Sequence, residues 1–567
     1  MPIPVWVLLV LAAVLCGGGA ARADDAPRTT TPIEHLIVVV GENLSFDHLF
    51  ATFRPPGGET VANLLSKGII KLNGDAGPNV AIAAQRMAEV KERYQVTPTI
   101  TGTYPTLPRP NTTSARGLAA YAPDERFPAA LPNAPFPITR YVEYGAYVGD
   151  PVHRFFQMWQ QLNGGRNDLF VWVGLTSGEG AERRDDPAAD TRQGGLAMGF
   201  YNMAAGDAPY LRELAERYAL ADNYHQPIMG GTGVNYFALA TGDVPAYLID
   251  GKPAVPPANQ IENPEPRPGA NNRYRQSGYL GGSYVNCGDS KQPGVDGIRE
   301  YLRSLPYKTF GDGNCAPGHF YLVNNYRPGH TPEGHPKPLG ADQFVLPPQI
   351  APTIAEALAA AGVSWKWYSG GRMVDGIDRQ QYCDLCDALT HSTAVMTGAL
   401  KANLQGVDAL ERDLVAHTLP AVSFVVPPNG KSGHPAYSTV ALFETFLRGL
   451  LPKIEAQKDL WAKTAVLITT DEGGGYYDSG AAQILDFFGD GTRIAMIVLS
   501  PWAKKGHVEH TYYDHVSILK FIERNWRLPP LSPRSRDNLP NPIMSAADPY
   551  TPANRPAIGD LMELFQF

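Results

Sequence analysis

Short apolar runs closed by turn residues alternate with helical patterns along the chain. The apolar runs are residues 36–40, 422–426, 465–469 and 494–499. Aliphatic runs of this length are typical of strands covered on both faces, as in a parallel sheet. Helical periodicity occurs at residues 202–218, 353–361 and 440–457. The alternation predicts an α/β fold, with a doubly wound, mostly parallel sheet and helices on both of its faces.

Two Pro-rich segments, residues 97–137 and 245–268, interrupt this alternation without helical or strand periodicity. The 567-residue chain contains 51 prolines and 57 glycines, but 44% of its residues are hydrophobic, so ordered loops explain these segments better than disorder. We therefore predict a single domain, residues 24–567, with long loop insertions near 97–137 and 245–345. Insertions over a sheet edge commonly shape a binding pocket.

Carboxylates follow two of the predicted strands. Asp471 and Glu472 come directly after the run 465–469 and precede three glycines, and Glu42 and Asn43 follow the run 36–40. Ligands bind at the carboxyl ends of strands in open α/β sheets, so we expect these side chains to converge. Oxygen ligands of this kind suit hard or borderline divalent cations. The alternative is that they are solvated turn residues or helix N-caps.

Thr232 lies between glycines in the segment GGTGVNYFALATG, ahead of an apolar stretch that we predict to be helical. A hydroxyl at a helix start, surrounded by free backbone N–H groups, is suited to hold a tetrahedral oxyanion such as phosphate. Beside a cation the same hydroxyl becomes a nucleophile. The alternative role is that of an ordinary N-cap threonine.

Three motifs together carry a resemblance to a known family. They are Glu42 to Asp47, which resembles a Glu-Asn-Arg-Ser-Phe-Asp motif; Thr232 three residues before Asn235 in a segment ending Thr241-Gly242; and Asp471 to Gly475, which matches Asp-Glu-x-Gly-Gly. Across residues 34–526 the chain resembles the bacterial phosphoesterase family of phospholipase C and acid phosphatase enzymes, within the alkaline phosphatase-like superfamily. The resemblance implies a hydrolase of phosphoric esters, acting on a small phosphate ester or a phospholipid head group.

The resemblance also implies how the site is built. One divalent metal ion, of open identity, would be held by Glu42, Asn43, Thr232, Asp471 and Glu472, with Thr232 also acting as the nucleophile through a phosphoenzyme. Two positions beside these residues depart from the family pattern. Leu44 stands where the family has Arg, and Ser479 follows Asp478 where many members have His-Val. We expect the departures to affect substrate preference.

Proton transfer needs a group that titrates near the working pH, usually a histidine. By its place in the family's His-Pro signature, His434 is the preferred catalytic histidine. His153 is the second candidate, because the family has a histidine between the first acid pair and the nucleophile. We expect His225 and His515 to be structural.

The net charge of −8 and the lack of a basic block argue against a nucleic-acid partner. An apolar run at residues 5–15 followed by Ala-Arg-Ala predicts a secretory signal peptide, residues 1–23, and a secreted or periplasmic protein without a stable membrane anchor. The oligomeric state stays open.

Four cysteines follow this leader, an even number that predicts disulfides in an exported protein. Proximity in sequence favours pairing Cys287 with Cys315 and Cys383 with Cys386, with a zinc site as the weaker alternative. Because these cysteines lie outside the motifs, we expect reduction to lower stability more than it lowers the chemistry.

Two other functions remain open. A sulfatase needs a Cys-x-Pro-x-Arg segment, which the segment beginning at Cys315 approaches without the Arg. A secreted binding protein could keep the fold without turnover, although all five proposed metal contacts are present. Within the enzyme class, the choice between a phosphomonoester and a phospholipid depends on the insertions.

Overall fold

A large sheet forms the centre of the protein in a computed structural model that describes residues 28–177, 194–264, 282–374 and 376–567. The strands of this sheet are β1 His35–Gly41, β2 Ala219–His225, β3 Trp365–Ser369, β4 Leu404–Gly406, β5 Val422–Val426, β6 Thr464–Thr470, β7 Arg493–Leu499, β8 Val508–Glu509 and β9 Tyr513–Asp514. Their order is β4-β3-β5-β1-β6-β7-β2-β8, and β9 also pairs with β2. Only β7 runs antiparallel to its neighbours in this sheet.

Helices cover both faces of the sheet, since every residue of β2, β5, β6 and β7 is buried. The helix at Pro209–Arg217 packs on that at Val440–Glu455, whereas the helix at Thr232–Thr241 packs on those at Ile354–Ala360 and Val516–Trp526. In the described part of the chain the α-helices are α1 Phe46–Phe50, α2 Phe155–Leu162, α3 Phe170–Thr176, α4 Pro209–Arg217, α5 Thr232–Thr241, α6 Val295–Ser304, α7 Ile354–Ala360, α8 Thr393–Thr397, α9 Val407–Ala416, α10 Val440–Glu455, α11 Lys458–Trp461 and α12 Val516–Trp526. The predicted doubly wound, mostly parallel α/β fold is confirmed.

The predicted strands agree with the structure to within one residue at each end. The helix predicted at 202–218 begins later, at Pro209. Its first residues instead form a short 3₁₀ turn, in which the Asn202 side chain accepts hydrogen bonds from two backbone N–H groups. Gly206 then ends this turn with a φ of 108°, which an α-helix does not allow.

Both predicted insertion regions contain short ordered strands. The pairs within them are Thr106–Pro108 with Ala130–Pro132, Leu248–Ile249 with Lys252–Pro253, Tyr284–Val285 with Tyr321–Leu322, and Arg327–Pro328 with Val345–Leu346. Two further insertion strands pair with strands outside these bounds, Ile100–Thr103 with Arg86–Ala88 and Phe136–Pro137 with Gly199–Phe200, and one pair, Arg372–Met373 with Gly376–Ile377, lies wholly outside them. The insertions share a second apolar cluster with α2, to which Trp159, Tyr284 and Leu107 belong. They therefore pack as ordered layers beside the main core.

Both predicted disulfides are confirmed: Cys287 pairs with Cys315, and Cys383 pairs with Cys386. The predicted signal peptide, residues 1–23, lies outside the described residues. Within the described ranges, no helix combines the length and the apolar character needed to cross a bilayer.

Candidate active site

The proposed acidic ligands lie at the carboxyl ends of β1 and β6, which pair in parallel with Gly41 opposite Thr470. This register places the residues that follow the two strands side by side. The backbone N–H of Asn43 donates to Asp471 Oδ1 at 3.0 Å, and that of Glu472 donates to the same oxygen at 2.8 Å. The two strand ends are therefore tied together through one carboxylate oxygen of Asp471.

The backbone around the strand ends adopts left-handed conformations. Asn43 has a φ of 62°, which is uncommon for a residue other than glycine. Gly474 and Gly475 have φ values of 60° and 72°. A Cβ on Gly474 would lie 2.6 Å from the Cβ of Asn43, and one on Gly475 would lie 2.3 Å from the carbonyl oxygen of Val152. These glycines therefore allow the two backbone segments to approach closely.

Thr232 is the first residue of α5, and the preceding Gly231 is the N-cap. The alternative role of Thr232 as an N-cap is therefore wrong. Its hydroxyl instead donates a hydrogen bond to Glu472 Oε1 at 3.2 Å. The N–H of Gly233 already donates to Asn325 Oδ1 at 2.7 Å, so one of the expected free backbone donors has a partner.

Three oxygens of the cluster are buried and have no hydrogen-bond partner among the described residues: Asn43 Oδ1, Asp471 Oδ2 and Glu472 Oε2. Leaving a buried polar atom unpaired destabilises the fold by roughly 1–3 kcal/mol, and by more for a charged group. All three belong to proposed metal ligands. Unpaired acceptors on neighbouring side chains fit a cation, because a cation takes the electron pairs that hydrogen-bond donors leave free.

The carboxylates of this cluster are crowded and unneutralised. Burial raises the pKa of Asp471 to about 7, and burial together with the charge of Asp471 raises the pKa of Glu42 to about 8. The pKa of Glu472 is raised well above its usual range for the same two reasons. No lysine or arginine in the described part of the chain forms an ion pair with any of the three. A divalent cation would supply the missing positive charge.

Both candidate histidines lie at this cluster. His153 Nδ1 contacts the carbonyl oxygen of Pro151 at 2.6 Å, and His434 Nδ1 contacts that of Pro435 at 2.5 Å. A carbonyl only accepts, so each Nδ1 carries a proton, and Nε2 is the nitrogen that faces the cluster. The two Nε2 atoms lie 3.5 and 3.0 Å from Asn43 Nδ2, and burial lowers the pKa of His434 to about 3.

His225 and His515 lie in the protein interior, with partners for both ring nitrogens. His515 Nε2 lies 2.8 Å from the carbonyl oxygen of Asp471, and its Nδ1 lies 2.8 Å from the hydroxyl of Tyr224. Burial lowers the pKa values of both histidines to about 4. These contacts fit the structural role expected from the sequence.

Three further residues contact the cluster and were not predicted from the sequence. Asp150 Oδ1 lies 3.5 Å from Asn43 Nδ2, and burial raises the pKa of Asp150 well above its usual range. The hydroxyl of Tyr437 donates to Glu42 Oε2 at 3.2 Å, and its ring stacks on His434. Asp150 lies three residues before His153, and Tyr437 lies three residues after His434. This closeness in sequence was a signal that could have identified both as neighbours of the site.

Cys386 is the third unpredicted neighbour, because its Sγ lies 3.6 Å from Glu42 Oε1. The cysteines lie outside the motifs in sequence, but this one contacts a proposed metal ligand in space. The reason for expecting reduction to spare the chemistry therefore does not hold for the Cys383–Cys386 disulfide.

The two departures from the family pattern lie in different surroundings. Leu44 is only 1% exposed and packs in the apolar core. The Ser479 hydroxyl and N–H both donate to Asp47, at 2.6 and 2.7 Å, and the Lys67 ammonium donates to Ser479. Ser479 thus belongs to a buried ionic network with Asp47 and contacts none of the proposed ligands.

Cys315 is disulfide-bonded to Cys287 and has no free thiol. A sulfatase would need a free cysteine at the corresponding position to form its nucleophile. The structure therefore excludes the sulfatase alternative that begins at Cys315.

A family model described as the phosphoesterase family matches residues 33–529. The chain belongs to the phosphoesterase family, which confirms the resemblance carried by the three motifs. Among curated proteins it is 22% identical to the hemolytic phospholipase C of Pseudomonas aeruginosa, across 97% of this chain and 58% of that protein. It is 23% identical to phospholipase C A of Mycobacterium tuberculosis, across 96% of this chain and 84% of that protein.

A shorter match is to the phosphate-repressible acid phosphatase of Penicillium chrysogenum, with 27% identity across 34% of this chain and 46% of that protein. The chain thus spans 58% of the first phospholipase and about half of this phosphatase. A solved structure of an alkaline phosphatase superfamily protein from Vibrio parahaemolyticus covers 57% of this chain and 62% of its own, at 9% identity and a TM-score of 0.26. The family assignment rests on the sequence match.

Proposed function

We propose that this protein is a cation-dependent hydrolase of phosphoric esters in which Thr232 is the nucleophile. The proposed ligands of one divalent cation are Glu42, Asn43, Thr232, Asp471 and Glu472. The observation that supports this most directly is the contact of Thr232 Oγ1 with Glu472 Oε1, beside three buried oxygens without partners among the described residues. Membership of the phosphoesterase family supports the ester class.

Thr232 would attack phosphorus through its hydroxyl oxygen. The hydroxyl donates to Glu472 Oε1, which can accept that proton. His153 Nε2 lies 3.9 Å from the same oxygen, so the proton can move onward to the imidazole. When bound, the cation supplies positive charge that lowers the pKa of the threonine hydroxyl and offsets charge on the phosphoryl group.

Two displacements complete the proposed cycle. In the first, the bond between Thr232 Oγ1 and phosphorus forms while the ester P–O bond breaks, and the leaving oxygen takes a proton. In the second, water attacks the phosphothreonine, which releases phosphate from a monoester substrate, or the phosphorylated head group from a phospholipid, and restores the hydroxyl. His434 Nε2 accepts from Asn43 Nδ2 at 3.0 Å, which fixes the amide so that its oxygen faces the proposed cation.

The substrates follow from the names of the relatives, which are phospholipase C and acid phosphatase. We propose a small phosphate ester or a phospholipid head group as the substrate, without a nucleic-acid partner. We also propose that residues 1–23 are a signal peptide and that the protein is secreted or periplasmic, which the two disulfides support. Phosphate release from an aryl monoester, compared with diacylglycerol release from phosphatidylcholine, distinguishes the two substrate classes.

The variants Thr232→Ala and Thr232→Ser test the mechanism. Alanine removes the nucleophilic oxygen and one hydrogen bond, so we expect turnover to be lost with a stability decrease of about 1 kcal/mol. Serine keeps the oxygen and should retain part of the rate. Acid-quenched wild-type protein should yield a phosphopeptide that carries Thr232.

A folded alanine variant with a near-normal rate would remove Thr232 from the chemistry. If the wild-type protein hydrolyses neither an aryl phosphate nor phosphatidylcholine in the presence of divalent cations, the chain is instead a binding protein that keeps the fold. Binding of inorganic phosphate without turnover would identify that case.

A further inference from the structure

The Cys383–Cys386 disulfide lies directly against the proposed metal ligand Glu42. Cys386 is fully buried, and its sulfur is 3.6 Å from Glu42 Oε1. Cys383 is partly exposed, so this end of the disulfide lies nearer to the solvent. The two sulfurs and one Glu42 oxygen lie within 4.8 Å of one another. Two cysteines and a carboxylate at this separation are a set of ligands for a divalent cation once the disulfide is opened.

The loop that carries these cysteines is held in place by contacts other than the disulfide. Tyr382 precedes the first cysteine and Asp387 follows the second, and the Tyr382 hydroxyl donates to Asp387 Oδ2 at 2.9 Å. The Arg372 guanidinium contacts both side chains, through an ion pair with Asp387 and a 2.9 Å hydrogen bond to Tyr382. Because the two ends of the loop are joined in this way, the sulfurs remain close together after reduction.

We propose that reduction of the Cys383–Cys386 disulfide creates a second cation site, formed by both thiolates and Glu42, for a thiophilic divalent ion such as Zn²⁺ or Cd²⁺. Two thiols of an external reductant are oxidised to one disulfide, while the bond between the two sulfurs of the protein breaks and each takes up a proton. Those protons are released when the ion binds. The reduced pair suits a soft ion, whereas the oxygen cluster suits a hard one.

The geometry of the loop fits this site. Zinc–sulfur bonds of about 2.3 Å in a tetrahedral site place two thiolates about 3.8 Å apart, a small opening from the bonded pair. The backbone N–H of Cys386 already donates to Cys383 Sγ at 3.1 Å, and such a bond favours the thiolate. Glu42 Oε2 accepts a hydrogen bond from Tyr437, whereas Oε1 faces the sulfurs and is available to bind the ion. A water molecule would be the fourth ligand.

Occupation of this site would withdraw Glu42 from the oxygen cluster. If Glu42 serves the reaction as proposed above, the reduced protein with Zn²⁺ or Cd²⁺ bound is inactive, and oxidation restores turnover. This consequence rests on the proposed function, whereas the binding site itself does not.

Cadmium binding tests the site without an activity assay. The full protein is reduced with a dithiol, freed of reductant by anaerobic gel filtration, and titrated with Cd²⁺ while the ultraviolet thiolate-to-metal band is recorded. We expect the band in the reduced protein and its absence in the oxidised protein. The matched control is the other disulfide: Cys287→Ser/Cys315→Ser should keep the band, and Cys383→Ser/Cys386→Ser should lose it.

Glu42→Gln tests the third ligand and should weaken Cd²⁺ binding by at least about tenfold. Unchanged affinity in this variant, or a band that persists in Cys383→Ser/Cys386→Ser, would overturn the proposal. If that double variant does not fold, Cys287→Ser/Cys315→Ser decides alone, because it keeps the thiols of Cys383 and Cys386 after reduction; absence of the band in this variant would overturn the proposal. Absence of turnover in the oxidised protein would contradict the proposed function and leave the site intact, whereas equal turnover before and after Cd²⁺ loading would contradict the competition for Glu42.

Discussion

Asp471→Asn should have opposite effects on cation binding and on the stability of the cation-free protein. Asparagine keeps an oxygen that accepts from the N–H groups of Asn43 and Glu472, as Asp471 Oδ1 does. Its amide nitrogen then occupies the place of Oδ2, which has no hydrogen-bond partner among the described residues. An N–H donor at that point repels a cation. The substitution also removes one of the three crowded negative charges of Glu42, Asp471 and Glu472.

The size of the stability effect follows from the pKa of Asp471. Burial raises this pKa from 3.8 to about 7 in the folded protein. One pKa unit corresponds to about 1.4 kcal/mol, so the ionised carboxylate destabilises the cation-free fold by up to ~4 kcal/mol above pH 7. Asparagine carries no such penalty, and cation-free Asp471→Asn should therefore be the more stable protein at pH 8.

The sign of the pH dependence can be checked separately. Between about pH 4 and 7 the folded cation-free protein holds a proton on Asp471 that the unfolded chain has released, so its stability falls as the pH rises. The difference in free energy of unfolding between variant and wild type should widen from pH 5 to pH 8. Urea unfolding after chelation and dialysis measures this difference.

Cation addition supplies the second half of the test. A cation at 100 times its Kd stabilises the wild type by about 2.7 kcal/mol and should leave the variant unchanged. The matched control is Asp47→Asn, a buried aspartate outside the cluster that pairs with Arg493 at 3.2 Å. It should be less stable but keep the cation response. If Asp471→Asn is stabilised by the cation as the wild type is, or is less stable without it at pH 8, the reasoning is refuted.

Three further predictions concern the surroundings of the site. Gly474→Ala should displace Asn43 and weaken cation binding at least about tenfold by calorimetry, because the new Cβ would lie 2.6 Å from the Cβ of Asn43; an unchanged Kd would contradict this. In the wild type the hydrogen bond from Tyr437 lowers the pKa of Glu42. Tyr437→Phe removes this bond, so the pKa of Glu42 should rise, and with it the pH at which half the cation is bound. Burial lowers the pKa values of His48 and His225 to about 4, so each histidine should make stability fall by about 1.4 kcal/mol per pH unit between pH 6.5 and 4. From pH 7 to pH 5 the free energy of unfolding of the wild type should therefore fall relative to that of His48→Gln, and an unchanged difference in urea unfolding would refute this.

The strands that were predicted from the sequence are those with continuous apolar runs, and β2 was missed because it reads ALADNYH. Its polar residues are buried and have partners from distant segments: Asp222 accepts from the N–H of Ala62, and Asn223 donates to the carbonyl oxygen of His510. Hydrophobic periodicity cannot reveal a strand whose polar groups are satisfied by tertiary contacts. The fold class did not depend on this strand.

The strand-end acids could be predicted because their position depends only on local sequence and on the rule for parallel sheets. The contacts of Tyr437 and Cys386 with Glu42 could not, since they join residues separated by 395 and 344 positions. Those separations are closed by packing of the loops after β3 and β5. The sequence therefore specifies the proposed oxygen ligands more directly than it specifies the residues that contact them.

The reversed direction of β7 makes the segment between β6 and β7 unlike the other connections at the site. It leaves the sheet at the edge that carries Asp471, and it returns to the same edge because β7 begins there. A parallel crossover would have to travel the length of the sheet and would usually include a helix, whereas this segment needs neither. The order and register of the strands therefore do not require a helix in this segment, whose path is held instead by buried contacts such as the ion pairs of Asp486 and Asp490 with Arg536.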